Sequence, residues 1–171
     1  MGTYKKLVPD SFDIFSEAEF NNFSINRLLP QDALEDYSAI ISNLNKINGL
    51  FGPKNSWPQS SLSLSDNISD LEWHYIEFQE RYSFAYVIKN SCKKYMGCFY
   101  IYPSYDPHFE VMCFIWLCRE ESIFDDIIFK TLKKWVISNW PFKSIAFPGR
   151  DISWIELSEN LIDIYADYYI F

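Results

Sequence analysis

The sequence predicts an α+β domain, a mixed and mostly antiparallel sheet flanked by helices. Residues 94–136 carry most of that prediction. They read as a strand Tyr95–Tyr102, a turn Pro103-Ser104-Tyr105-Asp106-Pro107, a strand Phe109–Cys118 and a helix from Glu121 to Ile137. The hydrophobic period changes from two to about 3.6 near Arg119, which marks a strand-to-helix corner. The first N–H groups of a helix lack partners within it, so such a corner can hold an anion. The second observation is composition. Of 171 residues, 49% are hydrophobic and 19% aromatic, with no repeat or low-complexity linker. A single domain over residues 1–171 with a full core follows.

The remaining elements fall in order. Residues 1–18 form an irregular lead-in. Phe20–Leu29 is a strand ended by Pro30, which cannot extend a ladder. Asp32–Ile47 is a helix with Leu34, Tyr37, Ile41 and Leu44 on its apolar face. Gly49–Pro58 is a breaker-rich loop carrying Phe51 and Trp57. Leu62–Arg81 is a helix with the stripe Leu64, Ile68, Leu71, Tyr75 and Phe78, and Ser63 with Asp66 fits a capping box. Asp70 with His74 and Glu77 with Arg81 are pairs on its solvated side. Tyr82–Lys89 is a strand. Ile123, Phe124, Ile127, Ile128, Leu132, Trp135 and Val136 give the 121–137 helix a wide apolar face. Lys143–Phe147 is a further strand, Pro148-Gly149-Arg150 a turn, and Asp151–Leu157 one or two helical turns. The aromatic segment 158–171 reads as a last strand or a docking segment, and a homodimer can form through it.

Charge and motifs exclude several functions. A net charge of −8 argues against a nucleic-acid or anionic-membrane surface and suits a cationic substrate. No stretch reaches the ~20 apolar residues of a membrane span, and Met1–Asp10 lacks a signal-peptide core, so a soluble cytoplasmic protein is expected. Cys92, Cys98, Cys113 and Cys118 form no CxxC pair and read as free, largely buried thiols, with no metal site. No phosphate-loop, nucleophile-elbow or zinc spacing occurs.

The order strand, helix, helix, three antiparallel strands, helix, strand resembles the GNAT superfamily of N-acetyltransferases. Local strings resemble a bacterial GNAT-like subgroup: Trp57-Pro58, Asp70-Leu71, Phe84-Ala85-Tyr86-Val87, Gly97-Cys98-Phe99-Tyr100-Ile101-Tyr102-Pro103, Phe114-Ile115-Trp116, Trp140-Pro141-Phe142 and Phe147-Pro148-Gly149-Arg150-Asp151-Ile152. The resemblance covers residues 20–155. It implies a GNAT-like acyl-CoA N-acyltransferase fold, with acetyl-CoA lying where the fourth and fifth strands splay. The implied cofactor contacts are Trp116, Leu117, Cys118, Ser122, Ile123, Phe124 and Asp125. In the family the pyrophosphate rests on a loop Arg/Gln-x-x-Gly-x-Gly/Ala. Here Glu120 stands in the basic position, and Ile123 and Asp125 replace the small residues. Glu121 and Asp126 add charge, and Ser122 is a possible N-cap. That degenerate loop predicts weak acetyl-CoA binding or none.

Glu110 is the candidate base by position. Tyr165, or Tyr168 or Tyr169, is the candidate acid. Trp57, Trp73, His74 and Tyr102, with Trp116, are the candidate substrate pocket, since aromatics with polar tips are common in such sites. Two functions follow: transfer of an acyl group from acyl-CoA to a small amine, or a non-catalytic GNAT-fold protein that binds a ligand or partner after losing acetyl-CoA.

Overall fold

The computed structural model describes residues 5–104 and 106–157. Among the described residues one six-stranded sheet runs β1 (Glu17–Glu19), β2 (Phe23–Arg27), β3 (Phe84–Asn90), β4 (Tyr95–Pro103), β5 (Val111–Leu117), β6 (Ile145–Ala146), in that spatial order. The first four pairings are antiparallel and β6 lies parallel to β5. The expected β4–β5 hairpin is present, with Phe99 opposite Ile115 and Ile101 opposite Cys113.

Helices α1 (Ala33–Ser42), α2 (Leu44–Ile47) and α3 (Leu64–Glu80) cover one face, and α4 (Asp125–Asn139) with the lead-in covers the other. With both faces covered, all seven β5 residues are buried, which is why that strand reads as an unbroken apolar run. Cys98, Cys113 and Cys118 are buried free thiols and Cys92 is exposed.

Several elements differ from expectation. The lead-in contributes β1, which pairs Ala18 with Ile25. The helix expected over 32–47 breaks at Asn43. Its inward residues are Ala33, Asp36 and Ile40, while Leu34 is 69% exposed. On α3, Asn67, Leu71, His74 and Phe78 face inward, and Ile68 and Tyr75 are exposed. The stripe fails because two inward positions are polar residues with partners or aromatic neighbours. Glu77 accepts from Ser83 Oγ and does not pair with Arg81. Arg81 takes the left-handed conformation that ends α3 and donates to Pro9, Asp10 and Phe12 carbonyls. A 3-10 turn, Arg119–Phe124, precedes α4, whose N-cap is Phe124 rather than Ser122. Residues 151–157 form turns rather than helix, with one bridge between Pro148 and Ile152.

A buried polar network ties α1, α3 and β4 together. Tyr95 O–H donates to Asp36 Oδ1 at 2.5 Å, and Asn67 Nδ2 donates to Asp36 Oδ2 at 3.0 Å and to the Ala33 carbonyl at 3.1 Å. Cys98 Sγ lies 3.0 Å from the Tyr95 hydroxyl. Burial raises the Asp36 carboxyl above its usual range, against these donors. Side chains such as Phe84 and Phe99 each contribute about 1.5–3 kcal/mol by burial, so the core sustains one such carboxyl.

Two predictions follow from this frame. At Gly97, φ is +154°, and an added Cβ would overlap the Trp116 carbonyl oxygen and lie 2.8 Å from Leu117 Cα. Gly97→Ala should cost about 2–4 kcal/mol by urea unfolding, because backbone must move. A loss under about 1 kcal/mol would show that the β4–β5 pair has slack there. Asp36 binds its proton more tightly folded than unfolded. Its contribution is therefore full below the ordinary carboxyl pKa and lost as pH rises through the raised value. The stability of wild type minus that of Asp36→Asn should grow as pH falls from about 7 to about 4. A flat or opposite trend refutes the assignment.

Candidate functional site: the cleft between the last two strands

β5 and β6 pair only at Val111 with Ile145 and Met112 with Ala146. Beyond that point the chain leaves the sheet through Phe147–Arg150, where Gly149 takes φ +74° and Arg150 N–H donates to the Phe147 carbonyl at 3.0 Å. Residues 113–117 thus face a cleft of about 250 Å³ on the side away from β4. The cleft is closed by Lys46–Leu50 at the end of α2, by Asp125 of α4, and by Pro148–Arg150 and Trp154. Trp116 forms part of its wall and donates its indole N–H to the Tyr100 hydroxyl at 3.3 Å.

The corner after β5 is built by residues far apart in sequence. Asn43, buried where α1 breaks, accepts from Arg119 N–H at 2.8 Å and donates to the Ala39 carbonyl. That bond fixes α2 against the corner. From α2, Lys46 Nζ donates to Ser122 Oγ at 2.6 Å and to the Cys118 carbonyl at 3.4 Å. Arg150 grips the Asp125 carboxylate with both terminal nitrogens, one of them at 3.0 Å. Its guanidinium also lies over Phe129, 5.1 Å from the ring centre.

These contacts change the charge balance expected for the loop. Asp125 pairs with Arg150, Glu121 with Lys94 at 3.4 Å, and Asp126 with Lys130 at 2.7 Å. Hydrogen bonds from Arg150 hold the Asp125 carboxyl below the usual range, with help from its charge and that of Lys46, against burial. The thiols are inert. Burial raises Cys113, and burial with the charges of Glu120 and Glu121 pushes Cys118 up to about 11. Burial thus disfavours the thiolate at both positions.

Of the residues singled out in the sequence, Trp116, Leu117 and Asp125 line the cleft. Cys118 and Ser122 sit at the corner beneath Lys46. Ile123 is 84% exposed and Phe124 45%, and neither lines the cleft, whereas Asp125, the other residue standing in place of a small one, does. Trp57, Trp73, His74 and Tyr102 are also outside its lining. Trp57 packs on Phe51, Trp73 is half exposed on α3, and His74 stacks on buried Tyr102. His74 is not solvated as expected: it is buried, its Nδ1 has no hydrogen-bond partner, and its Nε2 is 3.8 Å from Asp70. Glu110 sits before β5, where its carboxylate accepts from Lys143 N–H at 2.7 Å and its own N–H donates to the Ser144 carbonyl. It braces the closed end of the splay and is not in the cleft lining. Tyr165, Tyr168 and Tyr169 lie outside the described residues.

Lys46, Arg150 and Trp154 were not singled out. Arg150 stands in a recognised turn and Lys46 just before the glycine-bearing loop, but no local spacing ties either to residues 119–125. Among the described residues no three His, Cys, Asp or Glu side chains gather as metal ligands. No helix among them is long and apolar enough to cross a membrane.

No protein-family model and no curated protein matches the chain. Solved structures do. A ribosomal L7/L12 alpha-N-protein acetyltransferase aligns at 11% identity and a TM-score of 0.56, over 70% of this chain and 62% of its own. The chain thus spans less than two thirds of that enzyme. The ribosomal-protein-S5-alanine acetyltransferase of Vibrio fischeri aligns at 14% identity and a TM-score of 0.54, over 74% of this chain and 69% of that one. Spermidine N-acetyltransferase of Vibrio cholerae, in complex with CoA and spermine, aligns at 12% identity and a TM-score of 0.55, over 72% and 68%. At these identities the likeness is one of architecture, and it is specific: the chain has the GNAT acyl-CoA N-acyltransferase fold.

Proposed function

We propose that this protein is an acyl-CoA-dependent N-acyltransferase that acylates an amine. The observation that carries the reading is the cleft that residues 113–117 of β5 line where β6 has diverged, flanked by Lys46 and Arg150. A cleft beside a strand edge suits a ligand with an extended arm. The two cations oppose the charge of a phosphate, and Trp116 and Trp154 shield the cleft from water. When bound, acyl-CoA supplies the thioester carbonyl that an amine attacks. Three of the four corner carboxylates have cations of their own, which removes most of the repulsion expected from the acidic loop. A net charge of −8 favours a cationic amine. The spermidine and ribosomal-protein enzymes of the same fold act on amines.

A second reading has its own support. Asp125 is the one carboxylate in the cleft lining among the described residues, and Arg150 already holds it. Glu110 stands outside the lining, so no free base faces the cleft among the described residues. On this reading the chain binds a ligand there without turnover.

Calorimetric titration with acetyl-CoA at low salt should give a dissociation constant on the order of micromolar, about −8 kcal/mol. Incubation with acetyl-CoA and spermidine, or a peptide with a free N-terminus, should then release CoA thiol. No heat at millimolar acetyl-CoA defeats the proposal. Binding without thiol release over a broad amine panel leaves the non-catalytic reading.

A further inference from the structure

We infer that the outer face of α3, centred on Trp73 and Ile76, is a docking surface for a basic polypeptide segment that carries apolar side chains. The surface lies outside the cleft lining and does not rest on the acyl-CoA reading. Trp73 and Ile76 stand one turn apart and are 48% and 49% exposed. Single exposed apolar residues are ordinary on a surface, but two large ones side by side leave a patch that a partner can cover.

The rim of the patch is acidic. Residues 64–80 contain Asp66, Asp70, Glu72, Glu77 and Glu80 and no lysine or arginine. Three of these acids are engaged locally: Asp66 with Ser63, Asp70 near His74 Nε2 at 3.8 Å, and Glu77 with Ser83. Glu72 and Glu80 are exposed one turn before and one turn after Ile76, and neither pairs with a cation among the described residues. The cations nearest in the fold are committed. Arg81 donates to the carbonyls of Pro9, Asp10 and Phe12, and Arg27 donates to the Tyr75 carbonyl beneath the Tyr75 and Phe78 rings. Glu80 also stands in the last turn of α3, where no basic residue offsets the negative end of the helix.

These charges select the occupant. Nucleic acid and anionic membrane would bring phosphates to a rim of carboxylates. A second copy docked through the same face about a two-fold axis would set acid against acid. A basic segment answers both features at once. Its lysines or arginines meet Glu72 and Glu80, about 12 Å apart along the helix, and its apolar side chains cover Trp73 and Ile76 between them.

The test titrates the full chain at low salt with a fluorescein-labelled helical peptide of about 14 leucines and lysines in amphipathic order. Binding on the order of 10 micromolar is expected, and at least tenfold weaker binding when serine replaces leucine or glutamate replaces lysine. Trp73→Ser and Ile76→Ser should each weaken binding roughly tenfold, and Glu72→Lys and Glu80→Lys each roughly fivefold. Asp13→Lys alters an exposed acid of the lead-in and changes net charge equally, yet should weaken binding less than about twofold. Should Trp73→Ser fail to fold, Ile76→Ser and the two charge reversals carry the same comparison. No binding at millimolar peptide overturns the inference. So does equal binding of the serine–lysine peptide, or an Asp13→Lys effect as large as that of Glu80→Lys, since either shows only the overall field. Binding that survives both apolar variants overturns it as well. Capture by phosphatidylserine vesicles, or a wild-type dimer in sedimentation, that Ile76→Ser abolishes would assign the face to a membrane or to self-association and likewise overturn it.

Discussion

The rest of the site depends on a parallel ladder only two residues long. β5 is held along its whole length by β4 and on both faces by core, so it cannot bend away. β6 does the separating. Phe147 turns into the core beside Phe129, Pro148 has no N–H to donate, and Gly149 takes a left-handed φ. Had β6 run alongside β5 to residue 150, there would be no cleft between them.

The opposite wall is set by buried polar residues, not by the apolar core. Asp36 joins α1 to α3 and β4, and Asn43 both breaks the helix and fixes Arg119. Buried hydrogen-bonded groups are directional, whereas apolar packing tolerates sliding. The break at Asn43 redirects α2, and α2 delivers Lys46 to the corner. A straight helix over residues 32–47 would send that lysine elsewhere.

Much of the sheet was legible in the sequence because its signals are local. The Pro-bounded turn and the change of period at Arg119 give the β4–β5 hairpin and the following helix. The helix faces were less legible. Counting apolar residues placed Leu34 inward, whereas Asp36 is inward, because Tyr95, 59 residues away, supplies its hydrogen bond. The electrostatics of the corner were not legible at all. Four acids within seven residues read as an anion-repelling loop, but Asp126 pairs with Lys130 one helical turn on, and Glu121 and Asp125 have cations far away in the chain. Lys94 is 27 residues from Glu121, Arg150 is 25 from Asp125, and Lys46 is 76 from Ser122. Only the fold brings them together, so a motif comparison along one dimension counts the negative half of the site and misses the positive half.

That corrected balance implies selectivity. Asp125 lies in the first turn of α4, where the helix N-terminus also favours its charge. A monoanion entering the cleft exchanges one carboxylate-like contact on Arg150 for another and leaves Asp125 with a poorer position, so it gains nothing. Asp125 already feels both cations, Arg150 through hydrogen bonds and Lys46 through its charge. The acid that makes the loop look hostile to anions is thus itself held by a cation 25 residues away.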